Sequence, residues 1–337
     1  MDAKAADALL SWYDKQAIAL PWRASPGSPL PPAYRVWLAE VMLQQTTVAA
    51  VAPYYQRFLE RWPTVEALAA AEDGQVMAAW AGLGYYARAR NLLRCARAVV
   101  ADHGGEFPRT EPALRMLPGV GAYTAAAVAA IAWGQRALVV DGNVERVASR
   151  LLALPRSPAA ERPAILALLD SLTPRDRPGD FAQATMDLGR TICRPRAPDC
   201  PRCPVRPWCA AAALGTPAAF PVKAPRPIRP ERTGDCYLLT HGGALLLVDR
   251  PATGLLGGMR GLPEAPPLAA SWRELGRVRH VFTHFGLTLA VHTARAPART
   301  PGHWCPLDRL DEAGLPTLFR RAAALLVDEL AGTPAAA

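Results

Sequence analysis

"LPGVGAYTAAAVAAIAWG", Leu117–Gly134, is a proline–glycine turn that opens onto an apolar helix. A Pro-Gly-Val-Gly run breaks a helix, whereas the alanine-rich stretch after it favours one. The first backbone N–H groups of such a helix have no partner within it and point outward at the positive end of the helix dipole. Glycines at 119 and 121 let a phosphate come close to those groups. Taken alone, the stretch could equally be an ordinary turn between two helices.

Around this stretch the pattern is helical from the start to about Leu214, with apolar residues at three- and four-residue spacing broken by Gly and Pro. Helical segments are expected at Val36–Leu59, Val65–Ala71, Gln75–Leu83, Arg88–His103, Ala122–Trp133 and Asn143–Leu154. The proline-rich, basic run Gly215–Gly234 reads as an extended linker. Beyond it "CYLLTHGGALLLVDR" reads as two strands around a His-Gly-Gly turn, and "RVRHVFTHFGLTLAVHTAR" as a second strand pair. A last helix is expected at Leu315–Leu330, before a frayed tail at 331–337. The expected layout is a mainly α domain over 1–214, a linker over 215–234 and a smaller α+β domain over 235–330.

The 337 residues are enough for two domains, and 51% hydrophobic with 20% charged residues is a globular composition. The longest apolar run, Ala125–Trp133, is far shorter than the roughly 20 residues of a membrane span. The N-terminus lacks a charged-then-apolar signal layout, so a soluble cytoplasmic protein is expected. A formal charge of +9 favours an anionic partner, and nucleic acid is the usual one.

Three other stretches carry chemistry. Cys193, Cys200, Cys203 and Cys209 form a C-x6-C-x2-C-x5-C loop among Arg194, Arg196, Arg202 and Arg206. In a reducing compartment these thiols are expected to ligate metal rather than pair as disulfides. Zinc sites usually use two C-x2-C knuckles, and a single compact loop with uneven gaps suits an iron–sulfur cube somewhat better. In "VVDGNVERVASR", Asp141 stands at the mouth of a helix, the ordinary place for a cap. In "YRVWLAEVMLQQTTV", Glu40 stands among Val36, Trp37, Leu38, Val41 and Leu43. If buried there, its pKa rises, which suits a general acid.

Together these features resemble the endonuclease III superfamily of helix-hairpin-helix DNA glycosylases, and most closely its MutY branch of adenine glycosylases. The resemblance rests on "LPWR" (20–23), "AEVMLQQT" (39–46), "GLGYYARARNL" (82–92), "LPGVGAYTA" (117–125), "DGNVERV" (141–147), the four cysteines and "HVFTHF" (280–285). It implies a helix-hairpin-helix glycosylase domain with a [4Fe–4S] loop at 193–209, joined to a MutT/Nudix-like lesion-reading domain. The implied partner is double-stranded DNA carrying A:8-oxoguanine or A:G mispairs, bound by a monomer in the cytoplasm at the nucleoid, with no membrane involved.

The resemblance also implies roles. Glu40 gives a proton to N7 of the extruded adenine. Asp141 stabilises or traps the oxocarbenium-like sugar, positioned by Asn143 and Tyr123. Leu20, Trp22, Arg23 and Gln183 frame the adenine. Gln45 and Tyr85 wedge into the gap beside Thr46 and Leu83, and Gly119 and Gly121 meet the backbone. Phe282, Thr283 and His284 face the lesion. Lyase relatives hold a lysine where Tyr123 stands, and tyrosine forms no Schiff base, so base removal without strand cutting is implied.

The sequence departs from the family in three places. Thr283 stands for the usual serine, "GLLGGMRGLPE" (254–264) lacks the expected tryptophans, and "ASPGSPLPPAYRVW" lengthens the segment after "LPWR". "WRELG" (272–276) is at most a fragment of the carboxylate box that a Nudix hydrolase needs for metal, which implies a binding module without hydrolase activity. Two other readings remain open from the residues: a thymine- or damaged-pyrimidine glycosylase of the same fold, and a non-enzymatic iron–sulfur DNA-binding protein.

Overall fold

The computed structural model describes residues 3–224, 229–251, 254–282 and 284–332. The chain divides into two compact units, Met1–Pro225 and Arg226–Ala337. The first unit is helical: α1 (Ala3–Gln16), α2 (Ala33–Leu43), α3 (Val48–Arg61), α4 (Val65–Ala69), α5 (Asp73–Trp80) and α6 (Tyr86–His103). It continues with α7 (Glu111–Leu114), α8 (Ala122–Trp133), α9 (Gly142–Leu152), α10 (Arg162–Leu172), α11 (Pro178–Thr191) and α12 (Ala210–Ala213). Among the described residues no helix is long and apolar enough to cross a membrane.

Two apolar clusters organise this unit. One gathers Trp37, Tyr55, Phe58 and Trp80 around α8, and the other joins Leu9 and Tyr13 to Val144, Val147, Leu168, Phe181 and Leu188. Every residue from Thr124 to Ala132 is buried, which explains an apolar pattern with no polar face. The small alanines let α11 approach α8 backbone to backbone. A methyl group at Gly179 would lie 2.6 Å from the Ala130 carbonyl oxygen and 2.9 Å from Ile131 Cα. Gly179→Ala is therefore expected to destabilise the unit by about 1–3 kcal/mol, read as a lower denaturant midpoint with an unchanged m-value.

The stretch Val36–Leu59, expected as one helical segment, is two helices. Gln45 adopts a left-handed backbone (φ 58°), and the Thr47 side chain accepts from Ala50 N to start α3. A single turn therefore carries Gln44, Gln45 and Thr46 out of the helical rows and onto the rim of a cavity.

In the second unit β1 (Glu231–His241), β2 (Ala244–Asp249), β3 (Arg260–Gly261), β4 (Arg273–Val281) and β5 (Gly286–Arg295) form a sheet ordered β3-β2-β1-β5-β4. β6 (His303–Pro306) pairs with β2. β1 runs parallel to β5, and the other pairs are antiparallel. Helix α13 (Thr317–Gly332) covers one face through Leu318, Phe319, Ala322 and Leu326, packed with Cys236, Leu238, Leu289 and Val291.

One expectation changes here. The linker does not extend to Gly234, because β1 begins at Glu231 and pairs from Glu231↔Gly286 onward. Of "WRELG", Arg273 to Gly276 lie in β4. Glu274 lies in β4 opposite His292, and its exposed carboxylate pairs with Arg277.

Candidate active site

A cavity of about 540 Å³ opens between the two apolar clusters of the helical unit. Such a volume is ordinary for a small-ligand pocket. Helix α2 contributes Glu40, the loop after it Gln44, Gln45 and Thr46, the N-terminal segment Leu20, Trp22 and Arg23, and helix α8 Tyr123. Asp141 and Asn143 at the start of α9 and Gln183, Met186, Asp187 and Arg190 on α11 add to the wall. The structure thus brings together all four expected catalytic residues and all four expected adenine-framing residues.

Glu40 is 6% exposed, on a helix whose other residues from Ala33 to Met42, save Arg35, are also buried. Burial raises its pKa, opposed by the Tyr123 hydrogen bond and the Arg23 charge and helped by the charge of Asp141. The Tyr123 hydroxyl donates to Glu40 Oε2 at 2.6 Å. Tyr123 was expected to position Asp141, but its hydroxyl serves Glu40 instead. Burial, and the neighbouring Glu40, push the phenol well above its usual range, so it acts as a fixed donor.

Asp141 is the N-cap of α9, as its position suggested, and it also faces the cavity. One carboxylate oxygen accepts from Val144 N at 2.7 Å and the other from Asn143 Nδ2 at 2.7 Å. Asn143 is held in turn by Arg146, whose Nη2 donates to Asn143 Oδ1 at 2.8 Å and to the Gly189 carbonyl at 2.7 Å. Arg146 Nε reaches the Cys193 carbonyl at 2.9 Å, so one arginine spans from the Asp141 partner to the cysteine loop.

Sequence reasoning missed Asp187. It is 1% exposed and accepts from Arg23 Nη1 at 2.6 Å and from Ile18 N at 3.2 Å. That pair fixes Arg23, while Trp22 is held edge-on against Tyr55 at 5.3 Å. Asp187 falls four residues after Gln183, the helical spacing that could have placed it on the same wall.

Two further residues carry side chains on left-handed backbone at loop tips: Gln45 (φ 58°), exposed, and Tyr85 (φ 50°), 55% exposed. Arg88 ties their loops together. Its guanidinium donates to the Val41 and Met42 carbonyls at the end of α2 (2.9 and 3.0 Å), to Thr46 Oγ1 (3.2 Å) and to the Leu83 carbonyl (3.2 Å). It also lies 5.4 Å from the centroids of the Trp80 and Tyr85 rings. Thr46 is thereby anchored, and Leu83, expected to touch DNA, is 5% exposed with its side chain in the core. Arg88→Ala orphans these carbonyls and is expected to cost about 2–4 kcal/mol of unfolding free energy in denaturant titration. Arg88→Lys should recover only part, since one ammonium cannot reach the same fan of acceptors.

The hairpin glycines have separate roles. Gly119 takes a positive φ of 74°, and a Cβ there would lie 2.6 Å from Asn91 Cβ. Gly121 caps α8, is exposed and has open space around it.

In the cysteine loop, Cys193, Cys200, Cys203 and Cys209 are half-buried, while Arg194, Arg196, Arg202 and Arg206 are exposed. Burial pushes the Cys203 thiol up to about 12, and the charges of Cys193, Cys209 and Cys200 add to the shift. Among the described residues no group of three His, Cys, Asp or Glu is placed to hold a single metal ion. Arg150, 1% exposed, donates to the Cys193, Arg194 and Pro195 carbonyls and to Cys193 Sγ at 3.2 Å, pinning the loop from below.

In the second unit Phe282 and His284 lie between β4 and β5, and Thr283 lies outside the described residues. Phe282 N donates to the Phe285 carbonyl at 2.8 Å, which closes a tight turn, and the two rings pack 5.0 Å apart. His284 is exposed beside them.

Residues 38–169 match the family model of the HhH-GPD superfamily base excision DNA repair proteins, and residues 236–325 match the NUDIX domain. The human adenine DNA glycosylase is 37% identical, over 93% of this chain and 72% of its own length. A solved thermostable thymine-DNA glycosylase superposes with a TM-score of 0.56 at 29% identity, over 62% of this chain and 95% of its own. The trapped covalent intermediate of endonuclease III with DNA superposes at 0.52 and 25% identity, over 63% of this chain and 95% of its own.

Proposed function

Because the chain belongs to the adenine DNA glycosylase family and is a base-excision repair glycosylase, we propose that it removes adenine mispaired with 8-oxoguanine or guanine, without cutting the strand. The observation that carries this reading is that Glu40 and Asp141 line one cavity, each held by its own partner.

The target nucleotide leaves the stack at a cost of a few kcal/mol, less for a mispair than for a matched pair. Gln45 and Tyr85, projecting from strained turns, fill the space it vacates. Inside the cavity, Glu40 is kept neutral by burial. Its Oε2 accepts from Tyr123, which leaves the proton on the other oxygen, free to meet N7 of adenine. Protonated adenine departs with the electron pair of the N-glycosidic bond. Asp141 faces the cationic sugar so formed, and water adds to the anomeric carbon, giving an abasic site and returning a proton to Glu40. Lyase chemistry needs an amine nucleophile, and no residue lining the cavity is a lysine.

Cys193, Cys200, Cys203 and Cys209 would hold a [4Fe–4S] cluster. Four half-buried cysteines on one short loop, in the C-x6-C-x2-C-x5-C spacing, are the donor set that supports this assignment. The cluster would supply rigid iron–thiolate bonds that shape the arginine-bearing loop against phosphates, and no step of base removal passes through it. Anaerobically purified protein should show the broad absorption of such a cluster at the blue end of the visible range, and a colourless protein with stoichiometric zinc would overturn this. The second unit would read 8-oxoguanine through the turn bearing Phe282 and His284. Every residue used here lies in one chain, so a monomer suffices. Its place of work would be the nucleoid, in the cytoplasm.

The test is single-turnover reaction of an end-labelled duplex with one adenine opposite 8-oxoguanine, sampled with and without hot alkali. Cleavage only after alkali supports the reading, and cleavage without alkali overturns its monofunctional part. No cleavage in either arm sinks it.

A further inference from the structure

The cavity contains a charge that base removal leaves unused. Arg190 lines it from α11, three residues after Asp187 and seven after Gln183, on the same helix face. The residue is half-buried. Asp187, the nearest carboxylate along the helix, already has Arg23 and Ile18 N on a single oxygen at 2.6 and 3.2 Å. Among the described residues Arg190 makes no hydrogen bond and no ion pair. What acts on it is desolvation, the distant pull of Asp187 and the repulsion of Arg23. An unpaired, partly desolvated guanidinium on the wall of a ligand cavity is costly unless the ligand supplies the anion.

An extruded adenosine nucleotide has three parts, a base, a sugar and its phosphates, and only the phosphates are anionic. They would enter a cavity that also holds Asp141 and Asp187, whose charges oppose them. We propose that Arg190 binds a backbone phosphate flanking the extruded adenosine, as a cationic counterweight specific to the flipped state. This rests on reading the cavity as the nucleotide pocket. It differs from the exposed arginines of the cysteine loop, which would contact duplex backbone whether or not a base has been flipped.

The test uses the full chain and duplexes with one adenine opposite 8-oxoguanine, in which a neutral methylphosphonate replaces the phosphate on either side of that adenosine. The wild type should lose about tenfold or more in affinity at one of the two linkages, the scale of one charge-assisted contact. Arg190→Ala should lose a similar factor on the natural duplex and nothing further on that methylphosphonate duplex. Arg190→Lys should recover part of the affinity on the natural duplex alone. The loss should appear in half-saturation much more than in the saturated single-turnover rate, and the salt dependence of log affinity should become shallower by about 0.9. Binding to an undamaged duplex should fall far less.

Three results overturn the proposal. One is a wild type insensitive to both methylphosphonates. Another is multiplication of the Arg190→Ala and methylphosphonate losses. The third is an equal loss on undamaged DNA, which would make Arg190 a general backbone contact. A wild type that fails to excise adenine from the unmodified duplex would instead defeat the functional reading itself.

Discussion

Asp141→Asn should bind mispaired DNA as tightly as the wild type and release adenine more slowly by roughly a thousandfold, the scale of losing an electrostatic group aimed at transition-state charge. The substitution keeps the shape of the side chain. Asparagine caps helices about as well as aspartate, so the bond from Val144 N to the side-chain oxygen survives and α9 remains capped. What disappears is the negative charge facing the sugar. The amide also meets Asn143 Nδ2, a second donor, where the carboxylate had accepted it. Unfolding temperature should shift little, which separates loss of chemistry from loss of fold. Affinity and single-turnover rate measured on one preparation decide the matter. A variant retaining even a tenth of the wild-type rate removes Asp141 from the reaction, whereas loss of binding as well makes its role structural.

Glu40→Gln is expected to slow adenine release by about a hundredfold to ten-thousandfold, the range for removing a general acid. The pH dependence gives a more specific signature. Burial raises the pKa of Glu40, and in the proposed mechanism the competent form is the protonated one. The wild-type rate should therefore be highest below that raised pKa and fall as pH rises through it. The Gln variant should lack that alkaline limb. Wild-type stability should fall with rising pH in the same direction as activity. The folded pKa lies above the unfolded value, so the favourable contribution is fully present below the unfolded pKa and is lost as pH rises through the folded one. Above it the wild type holds a desolvated carboxylate, and glutamine does not. Glu40→Gln should thus unfold at a higher temperature than wild type on the alkaline side and converge toward it in acid. An unchanged pH profile of the residual rate would refute the assignment, and identical stability curves would refute the burial argument.

The parts legible in the amino-acid order are those built from neighbours. Gly119 and Gly121 mark the hairpin because a left-handed turn and an open helix start are demands on three or four adjacent residues. Asp141 announces itself as a cap because the group it serves, Val144 N, is three residues away. The cysteine loop is readable because its four cysteines are spaced along one short segment. The break in Val36–Leu59 had a local signal too, Thr47 before an apolar run, but continuous helical periodicity on both sides concealed it.

What stayed illegible depends on residues that meet only when helices pack. Tyr123 serves Glu40 across 83 positions of chain, and Asp187 serves Arg23 across 164. Arg88 reaches back 47 positions to cap α2. Arg190 becomes conspicuous only once Asp187 has been given Arg23 as its partner. Helical periodicity specifies that a side chain lies on an inward face, and it is silent on which group of another helix it will meet. The register of α2, α8, α9 and α11 about the shared cavity sets those pairings, and with them which carboxylate is desolvated, Glu40, and which is held as a helix cap at the cavity wall, Asp141.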